Sequence, residues 1–476
     1  MQMRAKLEIS NTFLKGSFIE QGDKFFELIN PADETIIGNL ICSSEKQIDE
    51  AIYITHESKA LMRALSKESK IDILQFIYDE VSKNRDQFGE LISLEMGAPI
   101  ELASNAHINM GLDHLINTIN VLKEYNFTEK NDGYDIFKIS IGAVGLITPW
   151  NWPLNQLFTK VASAIAAGCS ILVKPSEYSP LSAKLVAEII SKSELPKGAF
   201  NMINGIGSDM GHLITSDPRL SMISFTGSTR AGIEIQKNAA DTIKRVSLEL
   251  GGKSAHIIFD DVDYTKAIPL ALDQCFLNSG QSCSSPTRLL VHEKDIFEIE
   301  EIALNYAQTI ECINPKETKK GIGPLVNINQ FNQVKDFIQS AVDAGHHVLC
   351  GGTELPNNQT NGYYIKPTIF TRVENSSGIS QNEIFGPVLC IITYKNLDDA
   401  LRIVNESKYG LSSYITCANY EDGFNFAKNI EAGQTIINKP SRGSVPAPFG
   451  GFKMSGNGRE HGIYGLEEYL ETKAII

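Results

Sequence analysis

The sequence predicts an α/β protein built on two mostly parallel β-sheets that follow one another along the chain. Two series of short, β-rich runs alternate with helical segments, the first from about residue 141 and the second from about residue 254. Helices that alternate with strands in this way cover both faces of a parallel sheet. Ligands favour the crevice at the carboxyl ends of such strands, so functional residues are expected there.

The strands of both series can be read from local patterns. Residues 45 to 125 come first and carry apolar residues at helical spacing. The runs "VGLIT" (144–148), "SILVK" (170–174) and "SMISFTG" (221–227) follow, and each leads into a helical segment. The second series begins with "SAHIIF" (254–259) and continues through "TRLLV", "HHVLCGG" and "PVLCIITY". A crevice between the two sheets is therefore expected.

Composition and charge limit the function classes. Of the 476 residues, 42% are hydrophobic, so the chain can bury a large core. The formal net charge of −14 disfavours a broad nucleic-acid surface and docking on anionic membranes. The N-terminal residues lack the apolar core of a signal peptide, and the longest small-and-apolar stretch, 161–173, is too short to span a bilayer. We therefore expect a cytoplasmic protein.

Cys283 differs from the other seven cysteines because its neighbours are polar. The cysteines form no Cys-x-x-Cys pair, and several lie in apolar runs such as "VLCII", which is typical of small core residues. A reducing compartment disfavours disulfides, and the nine histidines show no paired spacing, so no metal site is expected. Cys283 lies between two serines on a glycine-flanked turn, "GQSCSS", and is the candidate nucleophile.

Polar residues follow two strands of the first series. "TPWNWPL" (148–154) places Asn151 between the only two tryptophans of the chain. A fixed side-chain amide is a good oxyanion donor, although asparagine is also a favoured helix N-cap. "LVKPSE" (172–177) ends a strand with Lys174 and Glu177, which suit the hydroxyls of a ribose. A solvated loop is the alternative interpretation of that stretch.

Two further motifs follow later strands. In "FTGSTRAG" (225–232), Gly227 comes directly after a strand and opens a helix, a place where backbone amides can hold a pyrophosphate. "NGIGSDMG" (204–211) does not have the spacing of a standard dinucleotide fingerprint. "LELGGKS" (248–254) sets Glu249 between two leucines, where desolvation raises a carboxyl pKa towards that of a general base. An exposed strand-end glutamate is the alternative.

Seven motifs in one order make the chain resemble the aldehyde dehydrogenase superfamily. They are "TPWNWPL", "LVKPSE", "FTGSTRAG", "LELGGKS", "GQSC", "NEIFGPV" (382–388) and "PFGGFKMSGNGREHG" (448–462). The resemblance runs from about residue 15 to the C-terminus and includes the spacing from Glu249 to Cys283, 283 − 249 = 34. Seven ordered motifs are a very specific match.

The resemblance implies two Rossmann-like domains and a β oligomerisation arm. Residues 1–122 and 141–251 would form the cofactor-binding domain, and residues 252–457 the catalytic domain. Residues 123–140 and 458–476 would form the arm, by pairing of the strand-rich segment 125–140 with the C-terminus. Such strands are awkward on a monomer, so we expect a homodimer or homotetramer.

The resemblance also implies the chemistry. Cys283 would attack an aldehyde to form a thiohemiacetal, with its oxyanion held by the Asn151 amide and the backbone N–H of Cys283. Hydride transfer would leave a thioester, which water activated by Glu249 would hydrolyse to the carboxylic acid. Lys160 matches a lysine to which some relatives give a proton-relay role.

The implied cofactor is NAD, with NADP as the alternative. Lys174 and Glu177 would bind the adenosine ribose, and a carboxylate there would repel the 2′-phosphate of NADP. Gly227 and Ser228 would lie at the pyrophosphate, and Glu383 and Phe385 at the nicotinamide ribose and ring. The remaining predicted cofactor residues are Ile147, Thr148, Pro149, Trp150, Ser176, Gly207, Phe225, Thr226, Leu250 and Gly251.

The substrate side is predicted from one helix. If residues 153–168 are helical, Asn155 and Thr159 face the same way, with Gln156 nearby, where relatives often have larger apolar residues. This pattern favours a polar or hydroxylated aldehyde, unless these residues contact a neighbouring loop instead. Arg442 is a candidate for a substrate carboxylate, as in semialdehyde oxidation. The other predicted substrate residues are Ser282, Ser284 and Phe449.

Other functions compete with this one, among them a semialdehyde dehydrogenase that uses NADP. A CoA-acylating dehydrogenase generally lacks the general-base glutamate, so Glu249 argues against that reaction. An NADP-dependent glyceraldehyde-phosphate oxidiser would need basic residues for the phosphate in the tunnel, for which only Arg442 is a candidate. A catalytically inactive relative would be expected to lose Cys283, Asn151 or Glu249, and all three are present.

Overall fold

Two seven-stranded sheets form the framework in the computed structural model, which describes residues 7–10, 12–20, 22, 24–440 and 446–476. In the first sheet five strands run parallel, and an N-terminal hairpin adds two antiparallel strands at one edge. In spatial order the strands of the first sheet are Arg245–Glu249, Met222–Thr226, Ala143–Ile147, Ser170–Lys174, Phe200–Met202, Thr12–Leu14 and Ser17–Ile19.

The second sheet is parallel except for one edge strand. His347–Cys350 pairs antiparallel with its neighbour, whereas all the other pairs are parallel. In spatial order its strands are His347–Cys350, Thr368–Thr371, Val388–Tyr394, Arg288–His292, Ala255–Ile258, Ser412–Thr416 and Gln434–Ile437. The predicted α/β architecture with two mostly parallel sheets is confirmed.

Three smaller sheets complete the strand inventory. Leu470–Ile475 pairs antiparallel with Tyr134–Ser140, which pairs in turn with Thr128–Asn131. The segment 125–140 and the C-terminus therefore pair within one chain, while the role of this sheet in oligomerisation stays a prediction. A second small sheet consists of the strands Leu7–Ser10, Ile36–Cys42 and Lys24–Ile29. The third pairs Tyr409–Gly410 with Phe452–Lys453.

Helices cover both large sheets. No helix among the described residues is long and apolar enough to cross a membrane. Ala103–His107 is a π turn, and Ala240–Thr242, Leu277–Gly280 and Glu293–Asp295 are 3₁₀ turns. The α-helices are Glu45–Glu57, Lys59–Arg63, Lys67–Lys83, Arg85–Met96, Ile100–Leu102, Ile108–Glu124, Pro153–Ala167, Pro180–Ile190, Gly207–Thr215, Thr229–Ala239, Tyr264–Phe276, Ile296–Ala307, Ile328–Asp343, Gly378–Gln381, Leu397–Asn405, Tyr420–Ala427 and Gly462–Glu467.

The helix Pro153–Ala167 is the central helix of the first half of the molecule. Every one of its residues is buried, as is typical of a helix enclosed by protein on all sides. Its proline lies in the first turn, where the missing N–H costs no hydrogen bond, and Gly168 ends it in the left-handed region. The helix Ile108–Glu124 packs closely on it, because a Cβ at Gly111 would lie 3.0 Å from the Leu154 Cβ. The residues just before Pro153 are therefore firmly anchored.

A buried carboxylate joins two other helices. Glu95 accepts hydrogen bonds from the Leu181 N–H at 2.6 Å and from the Ser182 hydroxyl at 2.5 Å, at the first turn of Pro180–Ile190. It thus caps a helix that lacks a side-chain cap of its own. Burial raises the pKa of Glu95 to about 8, against the opposing effect of these donors.

Substitution of Glu95 should give a pH-dependent stability change. Because the folded-state pKa is raised, the stabilisation is complete below the unfolded pKa near 4.3 and is lost as the pH rises through about 8. We expect Glu95→Ala to destabilise the protein by about 1–2 kcal/mol through loss of the cap. Glu95→Gln should lower the apparent Tm less and flatten its decline between pH 5 and 9. An equal decline with pH in wild type and Glu95→Gln would contradict this assignment.

Candidate active site

Cys283 lies in a tight turn that leads into the strand Arg288–His292 of the second sheet. We call residues 277–284 the nucleophile loop. Asn278 and Ser279 have φ of 53° and 58°, in the left-handed region that non-glycine residues seldom adopt. At Gly280, φ is 72° and a Cβ would lie 2.1 Å from the Gly386 carbonyl oxygen. The surrounding structure therefore holds this loop in a conformation that is locally unfavourable.

Cys283 is partly exposed as a whole residue, but its sulfur is shielded from solvent. Burial of the sulfur raises the pKa of Cys283 to about 12, and the carboxylates of Glu383 and Glu249 add to the shift. The backbone amides of Ser284 and Cys283 act in the opposite direction, because they donate towards the sulfur. All eight cysteines are free thiols.

Asn151 is attached to the nucleophile loop. Its side chain is 3% exposed, and its Nδ2 donates to the Gln281 carbonyl at 2.9 Å. Asn278 Nδ2 donates in return to the Asn151 carbonyl at 2.8 Å. The N-cap of the following helix is Trp152, so the alternative interpretation of Asn151 as the cap is wrong. An amide nitrogen carries two hydrogens, and the second one can serve an oxyanion.

Glu249 ends the edge strand of the first sheet and is buried. It is 2% exposed, and neither carboxylate oxygen has a hydrogen-bond partner among the described residues. Burial raises the pKa of Glu249 well above its usual value, with a further rise from Glu460 and opposing effects of Lys160 and Arg459. The alternative interpretation of an exposed strand-end glutamate is wrong. A buried, unpaired carboxylate of raised pKa marks a candidate functional site.

A buried ion pair lies next to Glu249. Lys160 is fully buried, and its Nζ lies 2.5 Å from Glu460 Oε1 and 3.0 Å from the Ser224 hydroxyl. The sequence pointed to Lys160 but not to Glu460, which is 300 residues away along the chain. The C-terminal motif "GREHG" that contains Glu460 was the only sequence signal for it.

The predicted ribose residues meet at the ends of two strands. Lys174 Nζ lies 2.8 Å from Glu177 Oε2, and the Gly207 N–H donates to Glu177 Oε1 at 3.3 Å. Lys174 is buried, so a fully solvated loop is the wrong interpretation. Ser176 lies in the same turn and accepts from the Tyr178 N–H. A carboxylate held in this way faces the first turn of the helix Gly207–Thr215.

The predicted pyrophosphate residues lie at the start of the helix Thr229–Ala239. Ser228 is its N-cap and accepts from the Ala231 N–H at 3.3 Å. A Cβ at Gly227 would lie 2.5 Å from the Phe225 ring, so only glycine fits there without displacing the ring. The Thr226 hydroxyl is buried without a partner among the described residues.

The predicted nicotinamide residues lie between this helix and Cys283. Glu383 Oε1 accepts from the Gly252 N–H at 3.1 Å, and a Cβ at Gly251 would lie only 2.1 Å from Glu383 Oε2. Burial raises the pKa of Glu383 to about 7, against the effects of the Gly252 amide and Lys253. The Leu250 N–H donates to the Ser455 carbonyl at 2.9 Å.

Residues after the strand Ala143–Ile147 lie next to the predicted ribose residues. The Thr148 N–H donates to the Lys174 carbonyl at 3.2 Å, so residues 147–149 lie beside the ribose residues. The rings of Trp150 and Phe385 meet edge to face, with centroids 5.4 Å apart. The predicted cofactor residues are thus arranged along strand ends in one direction, from the Lys174–Glu177 pair towards Cys283.

Three of the predicted substrate residues, Asn155, Gln156 and Thr159, are buried, whereas Ser282, Ser284 and Phe449 are partly exposed. Asn155 Oδ1 lies 2.7 Å from His114 Nε2, whereas Gln156 Oε1 and the Thr159 hydroxyl have no partner among the described residues. The His461 ring is 4.4 Å from that of His114 and 5.4 Å from that of Phe449. His461 lies in the C-terminal motif "GREHG", whereas no motif pointed to His114. Ser282 accepts from the Trp152 indole, Ser284 lies beside Tyr414, and Arg442 lies outside the described residues.

A family model described as the aldehyde dehydrogenase family matches residues 18–475, nearly the whole chain. The chain belongs to the aldehyde dehydrogenase family. It is an oxidoreductase by that membership, as the seven motifs indicated. The geometry described above therefore belongs to an aldehyde dehydrogenase whose nucleophile loop, buried glutamate and strand-end glycines are all in place.

Named relatives cover the chain almost end to end. A 3-succinoylsemialdehyde-pyridine dehydrogenase from a Pseudomonas species is 40% identical over 466 residues, 98% of both chains. Aldehyde dehydrogenase C from Pseudomonas syringae, solved as a cysteine-to-alanine mutant with NAD+ and octanal, has a TM-score of 0.96 at 38% identity, covering 98% of this chain and 96% of that one. The structure of an aldehyde dehydrogenase from Bartonella henselae has a TM-score of 0.96 at 38% identity, covering 98% of this chain and 99% of that one.

The raised pKa of Cys283 predicts slow alkylation of the cofactor-free protein. With a pKa of about 12, the thiolate fraction rises about tenfold per pH unit over the whole range from 7 to 10. We expect the rate of iodoacetamide labelling at Cys283, followed by mass spectrometry of its peptide, to rise in the same proportion without a plateau. Cys283→Ala measures the background from the other thiols. A plateau below pH 9 would show a thiolate already formed at rest.

Proposed function

We propose that this aldehyde dehydrogenase oxidises an aldehyde to a carboxylic acid with NAD, using Cys283 as the nucleophile. The observation that carries the proposal is the nucleophile loop itself. The sulfur lies beside the amides of Cys283 and Ser284, and the Asn151 side chain is bonded two residues away at Gln281. Oxyanion donors placed around a nucleophile in advance lower the barrier by about 2.7–4 kcal/mol each in acyl transfer.

The residues present fit NAD. A carboxylate at Glu177, held by Lys174 and Gly207, suits the two hydroxyls of the adenosine ribose and disfavours a 2′-phosphate. The helix start at Ser228 offers N–H groups to a pyrophosphate, and the unpartnered Thr226 hydroxyl lies beside it. The solved relatives from Pseudomonas syringae and Staphylococcus aureus, complexes with NAD+, support the same cofactor. Glu383 would hold the nicotinamide ribose.

Cys283 and Asn151 perform the first half of the reaction. The sulfur adds to the aldehyde carbonyl to give a thiohemiacetal, and its oxyanion accepts from the free hydrogen of Asn151 Nδ2 and from the Cys283 N–H. The thiol gives up its proton to water as the sulfur adds, because a thiol of raised pKa is a weak nucleophile. NAD supplies the hydride acceptor when bound, and loss of hydride leaves a thioester on Cys283.

Glu249 performs the second half. With its oxygens unpaired and its pKa raised, this carboxyl can take a proton from water that attacks the thioester. The buried Lys160–Glu460 pair lies beside Glu249 and gives its proton a route away from the site. Hydrolysis rather than transfer to CoA follows from the presence of this base.

We infer a polar aldehyde as the substrate class, a semialdehyde being one candidate. Gln156 and Thr159 present unpaired polar atoms, and Asn155 is bonded to His114, along the face expected to line the aldehyde tunnel. The relative named for a semialdehyde that carries a pyridine ring supports this class. The relative solved with octanal shows that the family also includes enzymes that bind a long alkyl chain.

We propose that the arm strands assemble the enzyme into a homodimer or homotetramer. The C-terminal strand is an edge of its three-stranded sheet, and Ile475 and Ile476 are exposed. An exposed apolar edge strand is typical of a subunit contact. Light scattering on the purified protein should give a mass of two or four chains, and a monomer would contradict the proposal.

Glu249→Gln should separate hydride transfer from hydrolysis. We expect one equivalent of NADH per Cys283 in a rapid first turnover, followed by a steady state slowed about 10²–10⁴-fold, because only deacylation needs the base. Stopped-flow absorbance at 340 nm measures both phases. Cys283→Ala is the matched control and should form no NADH in either phase. A loss of the first turnover in Glu249→Gln would contradict a role confined to hydrolysis.

Gln156→Met should shift the substrate preference towards alkyl aldehydes. The substitution keeps the shape but removes a buried amide whose oxygen has no partner among the described residues, so the ratio of kcat/KM for octanal over a hydroxylated short aldehyde should rise about tenfold. Ser163→Ala, on the same helix, removes a hydroxyl that donates to the Thr159 carbonyl and should leave the ratio unchanged. An unchanged ratio in Gln156→Met would exclude Gln156 from the tunnel wall.

A further inference from the structure

The helix that runs beside the nucleophile loop contains a π turn. Helical residues from Ile100 to Glu124 are interrupted by the π turn Ala103–His107. Such turns insert one extra residue, are rare, and occur frequently at functional sites. The inserted turn ends at His107, which is completely buried. The π turn therefore determines where the His107 ring lies.

His107 packs face to face against Trp152. The ring centroids are 4.1 Å apart and the planes are inclined by 26°. Burial lowers the pKa of His107 to about 3, and the nearby Asn278 side chain opposes this shift. The ring is therefore neutral over the working pH range, and its contact with the indole is a packing contact rather than a cation–π interaction. It fixes the plane in which the indole lies.

Trp152 extends this packing to the nucleophile. Its Nε1 donates to the Ser282 hydroxyl at 2.7 Å, and Ser282 directly precedes Cys283. Asn151, the preceding residue, binds the carbonyl of Gln281. Two consecutive residues before the helix Pro153–Ala167 thus hold two consecutive residues before the nucleophile. The Trp152 indole thus anchors Ser282, as the Asn151 amide anchors Gln281.

We propose that Trp152 and His107 are positioning residues for Cys283, with Ser282 as the point of attachment. The inference rests on the proposed role of Cys283 as the nucleophile. The indole N–H sets the orientation of the nucleophile loop, and the His107 ring holds the indole in the plane that this hydrogen bond requires. Neither residue needs to exchange a proton with the substrate.

A double-mutant cycle tests the hydrogen bond. Trp152→Phe keeps a ring but removes the donor, and Ser282→Ala removes the acceptor. Each should lower kcat about fivefold, the effect of one hydrogen bond, and the double variant should be no slower than either one alone. KM for NAD should stay within twofold of wild type. Additive effects in the double variant, or wild-type kcat in both single variants, would overturn the proposal.

The role of His107 is tested by rescue. His107→Phe preserves a flat neutral ring and should retain kcat within twofold, whereas His107→Ala should fall to the level of Trp152→Phe. In a Trp150→Phe background Trp152 is the only tryptophan, so its emission should shift in His107→Ala but not in His107→Phe. Equal losses of kcat in the two His107 variants would overturn the stacking role.

Labelling of Cys283 needs no turnover and therefore tests the positioning role independently of the proposed function. The labelling rate of Cys283 by iodoacetamide at pH 9 should show the same coupling between Trp152→Phe and Ser282→Ala as kcat does. If wild type oxidises no aldehyde but the labelling rates are coupled, the proposed function fails and the positioning role stands. If turnover is normal and the labelling effects are additive, the positioning role fails. NAD binding and apparent Tm identify any variant that is misfolded.

Discussion

The hydrogen bonds that join residues 151–152 to the nucleophile loop are the constraint on which the site depends. Cys283 leads into the second sheet, whereas Asn151 follows a strand of the first, so the proposed oxyanion hole requires both halves to be held together. Asn151 to Gln281, Asn278 to Asn151 and Trp152 to Ser282 form that connection, at 2.7 to 2.9 Å. The fully buried helix Pro153–Ala167 anchors one side, and the strained turn at Asn278 and Ser279 anchors the other. These bonds hold the strained turn together with two others, in which the Ser279 hydroxyl donates to the Gly323 carbonyl and the Val326 N–H donates to the Gln281 side chain.

Electrostatics at the site follows from burial. A thiol and two carboxyl groups, Cys283, Glu249 and Glu383, lie close enough to raise the pKa of the thiol together with its desolvation. Neither carboxyl oxygen of Glu249 has a hydrogen-bond partner in the described part of the chain, and a buried lysine–glutamate pair lies beside it.

Local pattern predicted much of this molecule, and contacts between distant residues account for what it missed. Strand and helix alternation predicted both parallel sheets. A polar turn before a strand singled out Cys283, and Asn151 and Glu249 were singled out after strands of the first series, while the catalytic roles of all three stay predictions. The N-terminal hairpin at the edge of the first sheet was missed, because its pairing with Phe200–Met202 has no local signal. Glu460 and His107 were missed for the same reason, since burial and stacking join them to Lys160 and Trp152 only in the fold. The capping interpretation of Asn151 was as good as the catalytic one until the bond to Gln281 was known.

Mass spectrometry of the acyl-enzyme tests the central claim most directly. Glu249→Gln, mixed with NAD and an aldehyde that it oxidises, would be quenched in acid and digested. The account predicts that the peptide containing Cys283 gains the mass of the acyl group, that the gain depends on NAD, and that hydroxylamine removes it as it removes a thioester. An unmodified Cys283 peptide after a full equivalent of NADH has formed, or an acyl group on another residue, would contradict Cys283 as the nucleophile.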